Sequence, residues 1–191
     1  MNRSTTASLL AALLTATTLA YAEPASYTVE PTHTSVTFEV RHFGTSTLRA
    51  RFNTKSGAIT IDPAAKTGKA SIVIDMASVQ SGVPTLDGAL KGAKFFNVER
   101  DREATFVATD FRFDVDKVTQ VSGTLTIGGK TNPVTLNATH YNCYENPLIK
   151  KQVCGGDFDT TIKRSEWNIN GVIPLVSDDT KLLIQIEAIR S

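Results

Sequence analysis

The chain has 191 residues, 41% of them hydrophobic, with 20 Lys and Arg against 19 Asp and Glu. Charges of both signs are interspersed without a block or stripe, so the electrostatic footprint of a nucleic-acid-binding protein is missing. Past the first 22 residues no stretch approaches the roughly 20 consecutive apolar residues of a spanning helix.

Met1 to Ala22 reads as a leader. Arg3 is its only charge, the run from Ala7 to Leu14 is apolar, and Ala20-Tyr21-Ala22 gives the small-x-small arrangement at which a signal peptidase cuts. Residues 1–22 are therefore expected to be a cleavable signal peptide, and residues 23–191 one exported domain with charges in balance, since removing Arg3 leaves 19 of each sign. No cysteine stands at or just after the cleavage point, which argues against a lipid anchor.

From there the period is two. Val36, Phe38, Val40 and His42 alternate with Thr37, Glu39, Arg41 and Phe43, the pattern of a strand with one buried face. Similar runs are expected to form strands at 58–61, 69–75, 104–115, 118–127, 133–141, 158–163, 167–173 and 181–189. Asp62-Pro63, Ser81-Gly82, Gly128-Gly129-Lys130, Gly155-Gly156 and Ser177-Asp178 supply turn chemistry between them. One segment breaks the period: Leu86, Ala89, Leu90, Ala93 and Phe96 recur at helical steps behind Pro84, predicting a short helix over 84–96 weakened by Gly88 and Gly92.

A meander of this size must pack on a second sheet or close on itself. An immunoglobulin-like sandwich would want two cysteines spanning the sheets around a buried Trp, whereas here Cys143 and Cys154 sit close together and Trp167 follows them. The expected fold is all-β: an extended antiparallel β-barrel, lipocalin-like, of about eight strands with one short helix. The two cysteines most simply form one disulfide that staples a hairpin tip. Their spacing is not the C-x-x-C of a redox pair, and no further Cys or His stands near enough to complete a zinc site.

Five segments carry a family resemblance. They are Thr32 to Gly44 (THTSVTFEVRHFG), Leu90 to Asn97 (LKGAKFFN), Ala104-Thr105-Phe106, Gly123 to Leu136 (GTLTIGGKTNPVTL) and Lys163 to Ile169 (KRSEWNI). In order and spacing, over residues 27–189, they resemble the YceI family. The resemblance implies an extended lipocalin-like barrel, export to the bacterial periplasm, and a polyisoprenoid or related long-chain amphiphile held inside. The chain departs from the family pattern at Ala50-Arg51-Phe52, at Ala89 and at Glu166-Trp167-Asn168.

The residues themselves lead to the same expectation. Phe38, Val40, Phe52, Ile72, Ile74, Phe106, Phe113, Trp167 and Ile169 have inward-candidate parity, and Leu86, Leu90 and Phe95 lie on the helical segment. Ordinary core packing explains any one of them; as a set they are the candidate wall of an apolar tunnel. His42 shares the inward parity, as a core histidine bonded to a neighbouring backbone or carboxylate group or as the candidate polar contact to a ligand, while His33 and His140 form no ligand-spaced motif, so no metal or cofactor is expected. Nucleophile elbow, H-E-x-x-H, phosphate loop and C-x-x-C are all missing, so a non-enzyme is expected. The expected partner is a long-chain isoprenoid-like lipid, a polyprenyl lipid or isoprenoid quinone. The rival readings are a fatty-acid-amide binder and an envelope or stress-related interaction module with a filled core. Oligomeric state stays open at this level, a homodimer included.

Overall fold

The computed structural model describes residues 24–191. The expected signal peptide lies outside the described residues. Nine strands follow one another: β1 (Ala25–Val29), β2 (Ser35–His42), β3 (Ser46–Asp62), β4 (Thr67–Gln80), β5 (Glu103–Asp114), β6 (Lys117–Ile127), β7 (Lys130–Asn146), β8 (Lys151–Lys163) and β9 (Asp179–Arg190). Among the described residues a single α-helix, α1 (Pro84–Lys91), joins β4 to β5.

Every pairing is antiparallel, in the order β3-β2-β9-β8-β7-β6-β5-β4, and β4 returns to β3 to close the barrel. Nine strands make an eight-stranded barrel because β1 and β2 share one place in the ring. β1 pairs with the far part of β3 (Ala58 to Ile61) and the end of β9, while β2 pairs with the near part of β3 and the start of β9. A 3₁₀ turn, Pro31–His33, separates the two. Pro31 cannot donate to a ladder, and the Glu30 carboxylate instead accepts the backbone N–H groups of Thr32 (3.0 Å) and His33 (2.9 Å).

Inward positions alternate with outward ones and supply the core: Phe38 and Val40 on β2, Ala50 and Phe52 on β3, Ile72 and Ile74 on β4, Ala104 and Phe106 on β5 are all buried. The closed ring leaves no long unpaired edge, which removes a template for aggregation.

The structure differs from the sequence reading in several places, among them the strand β1, which no expected run covers, and the longer β7 and β8. Residues 167–173 are not a strand: Arg164–Trp167 form a 3₁₀ turn ended by Asn168 in the left-handed region (φ 61), whose N–H reaches the carbonyls of Arg164 and Ser165. Gly155 and Gly156 are not a turn but sit inside β8, where a Cβ on either would strike a neighbouring strand's backbone, Ile186 carbonyl for Gly155 and His140 carbonyl for Gly156. The helix stops at Lys91 rather than Phe96, because the chain leaves helical geometry at Gly92, whose N–H turns back to the Ala89 carbonyl. Finally β3 runs 17 residues, not the four of 58–61, since its first half alternates small or aromatic residues with Arg49, Arg51, Asn53 and Lys55 on the wet face.

Candidate functional site

Two cavities lie in the barrel interior. The larger holds about 260 Å³ and lies at the end of the barrel carrying α1 and the segment between β8 and β9. The smaller holds about 70 Å³ toward the opposite end. No residue lines both, and the step from one to the other is a single pleat: Ile74 and Ala104 face the larger cavity, Ile72 and Phe106 the smaller. Ile72 and Phe106 are direct cross-strand partners between β4 and β5.

Every side chain of the larger cavity is apolar except those of His42, Arg164 and Thr180. Phe38 and Val40 come from β2, Phe52 from β3 and Ile74 from β4. Leu86 and Leu90 come from α1, Phe95 from the turn behind it, and Ile169 from the segment after the 3₁₀ turn. These eight expected wall residues thus converge on one space. Phe96, also there, stands edge-on to Phe52 (centroids 5.0 Å) and Phe38 (5.8 Å), and its N–H holds the Leu90 carbonyl at 3.0 Å. That aromatic cluster fixes the helix segment over the barrel end.

The remaining expected residues are elsewhere. Ile72 and Phe106 line the smaller cavity. Trp167 is buried but lines neither, and its indole N–H donates to the Leu125 carbonyl. Phe113 also lines neither, stacking on Phe111 (6.5 Å between centroids) with the Lys66 ammonium 5.7 Å from its own ring.

His42 departs from the expectation of an apolar interior. It lines the larger cavity yet is exposed, because β2 ends there and the chain turns through Phe43 and Gly44, both at positive φ. It therefore sits at the mouth, its ring 4.8 Å from that of Phe43. His33 and His140 are exposed, His33 holding Glu30, and no group of three or more His, Cys, Asp or Glu with metal-binding geometry occurs among the described residues.

Arg164 was missed as a wall residue. Nothing in its alternation marks it, since it opens a 3₁₀ turn rather than a strand. Its guanidinium is buried and donates to three backbone carbonyls, of Ser177 (2.8 Å), Ile169 (2.7 Å) and Val176 (2.9 Å). Burial lowers its pKa, and the nearby Asp178 carboxylate partly opposes that. The cation thereby gathers residues 169–177 into the cavity's rim. The Asp178 carboxylate, raised by burial but lowered more by hydrogen bonds from Ser165, locks the same segment to the 3₁₀ turn.

At the other end Cys143 and Cys154 face each other across β7 and β8 and form the expected disulfide, with Cα atoms 4.1 Å apart. Beside it the phenols of Tyr27 and Tyr141 are kept neutral: burial raises Tyr27, and burial together with the charges of Tyr27 and Asp116 pushes Tyr141 up to about 12. The Tyr27 hydroxyl donates to Gln152 at 2.7 Å.

Fold and cavity define the class first: a closed eight-stranded antiparallel barrel with an apolar end cavity, as in lipocalin-like proteins. The YceI-like domain model matches residues 27–188, and the chain belongs to that family. It is 31% identical to protein YceI of Salmonella arizonae over 184 residues, covering 95% of this chain and 94% of that one. A UPF0312 protein of Pectobacterium carotovorum is 31% identical over 164 residues, covering 84% and 83%. Among solved structures, the Campylobacter jejuni YCEI protein superposes with a TM-score of 0.64 at 27% identity, covering 79% of this chain and 90% of that one. A polyisoprenoid binding domain from Saccharophagus degradans shares the fold at a TM-score of 0.62 and 16% identity, covering 88% and 100%.

Proposed function

We propose that this protein is a non-catalytic carrier or reservoir, working in the periplasm, for a long-chain isoprenoid-like amphiphile whose tail occupies the larger cavity. The observation that carries this reading is the wall: nearly all apolar, drawn from β2, β3, β4, α1 and the segment after β8, around about 260 Å³ of space. Such a volume is close to the lower end of ligand pockets, roughly 300–1,000 Å³. At about 0.8 kcal/mol per buried CH₂, enclosing even a few isoprene units binds tightly without specific polar contacts.

Phe38, Val40, Phe52, Ile74, Leu86, Leu90, Phe95 and Ile169 act as tail wall, and His42 at the mouth meets the polar head. A longer tail reaches the smaller cavity once the layer holding Ile72 and Phe106 shifts. Trp167 serves as a buttress of that wall, and Phe113 packs behind Phe111 of the smaller cavity. Support for an isoprenoid comes from the fold shared with the Saccharophagus degradans polyisoprenoid binding domain. Support for export comes from the leader in residues 1–22 and from the disulfide, which persists in oxidising compartments.

Calorimetry of delipidated protein with detergent-solubilised isoprenoids tests it. Burial of the wall around a tail gives saturable binding with a negative heat-capacity change. A folded barrel that binds no isoprenoid, quinone or fatty amide overturns the carrier reading in favour of the interaction module.

A further inference from the structure

We infer that the cavity mouth is a membrane-docking collar: Phe43, Val172 and Leu175 seat on the surface of an anionic lipid bilayer, so that ligand passes between membrane and cavity without crossing water. This rests on the carrier reading and extends it to the partner from which the ligand comes.

The three side chains are exposed by 56%, 48% and 51%, and they form one patch. The Phe43 N–H donates to the Leu175 carbonyl at 2.7 Å, His42 bridges to Val176, and the Val176 N–H donates to the Val172 carbonyl at 2.9 Å. His42, Val172 and Val176 line the cavity, so the patch is continuous with the wall inside it. Two of the three hold a backbone conformation that their side chains disfavour: Phe43 has φ 52 and Val172 φ 63, where Gly or Asn is the ordinary occupant and a β-branched residue is an outlier. Backbone strain of this kind collects at functional sites.

Charge selects the occupant. Arg41 lies beside the patch, its N–H on the Ser177 hydroxyl at 2.9 Å, and the Lys94 carbonyl abuts Gly171 so closely that a Cβ there would lie 2.8 Å from it. Lys91 ends α1, whose Leu86 and Leu90 line the cavity. Among the described residues none of these three cations has a carboxylate within ion-pair distance. Of the neighbouring acids Asp179 is paired with Lys163, while Asp178 keeps its charge and accepts from Ser165, which leaves three unpaired cations against one carboxylate. An apolar tip with unpaired cations on the adjoining segments complements an anionic bilayer. Three side chains are too few for a stable protein interface, which buries about 800 Å² per partner.

The test follows transfer of a long-chain isoprenoid quinone from phosphatidylcholine vesicles containing phosphatidylglycerol to delipidated protein by stopped-flow fluorescence. Phe43→Asn keeps the left-handed turn, and neither Phe43 nor Leu175 lines the cavity. The Phe43→Asn/Leu175→Ser variant is expected to slow transfer about tenfold, with affinity for detergent-solubilised quinone unchanged. Omitting phosphatidylglycerol or raising salt should slow the wild type. Leu148→Ser, at the β7–β8 tip on the opposite end of the barrel and 89% exposed, should change nothing. Wild-type transfer by the double variant, or equal slowing by Leu148→Ser, overturns the collar. Leu175→Ser alone serves if the double variant misfolds. Should wild type bind no solubilised quinone, the carrier reading fails by itself, and flotation with the same vesicles still reads the collar: wild type floats and the double variant does not, or the collar fails too.

Discussion

Trp167 donates its indole N–H to the backbone carbonyl of Leu125 at 3.0 Å, joining the 3₁₀ turn after β8 to the end of β6. Both residues are buried, so the carbonyl has no water to replace that donor. The turn carries Arg164, whose three carbonyl contacts shape the cavity rim; the Trp167 bond is thus one of the posts on which the rim stands.

Trp167→Phe removes the donor, and the Leu125 carbonyl loses that second bond while keeping its place in the β6–β7 ladder. A loss of about 0.5–1.5 kcal/mol is expected, read as a lower denaturant midpoint with unchanged slope. An unchanged midpoint would show that the bond contributes nothing to stability.

Glu30 sets a pH dependence at the junction of β1 and β2. Burial raises its pKa, but hydrogen bonds from the Thr32 hydroxyl and N–H and from His33 outweigh that and lower it to about 2. A depressed folded-state pKa contributes stability above the unfolded value, about 4.3, that is lost as pH falls toward 2. Glu30→Gln should therefore flatten thermal stability against pH across that window and leave the slope above pH 6 unchanged. A parallel shift at all pH values would assign the window to other carboxylates.

Legibility in the sequence followed the kind of signal each element leaves. β2 and β5 declare themselves because Val36, Phe38 and Val40, or Ala104 and Phe106, alternate against polar neighbours. Gly155 and Gly156 carry the same letters as a turn, and only the approach of Ile186 and His140 backbone from the flanking strands distinguishes them. His42 has the parity of a wall residue, but parity does not encode where a strand stops, and so it reaches the mouth rather than the interior. Arg164 stands in the KRSEWNI segment, but nothing there reveals its role, which depends on carbonyls of residues 169, 176 and 177 that only the folded loop brings together.

The Cys143–Cys154 bond closes a short loop at the β7–β8 tip, with a sequence separation of 11. Loop-closure entropy assigns it roughly 2–3 kcal/mol. The Cys143→Ser/Cys154→Ser variant should melt several degrees lower than wild type, and reductant should lower wild type toward it without affecting the variant. Equal melting points would mean the hairpin holds itself.

Leu90 is the buried residue of α1 and faces the larger cavity. Leu90→Asp places a carboxylate in that apolar wall, which is costly without a partner, while the strand ladders keep their own hydrogen bonds. Far-UV circular dichroism should stay that of a β-barrel while lipid co-purifying with the protein falls severalfold. Undiminished lipid on a folded variant would remove α1 from the site.

The central claim is that the larger cavity carries a long-chain isoprenoid-like lipid. Native mass spectrometry of the protein purified from bacterial periplasm, followed by extraction and lipid analysis, addresses it most directly. The account predicts a stoichiometric adduct of isoprenoid mass that dissociates on denaturation and is reduced in Leu90→Asp. Ligand-free protein whose cavity also fails to take up added isoprenoid would contradict it.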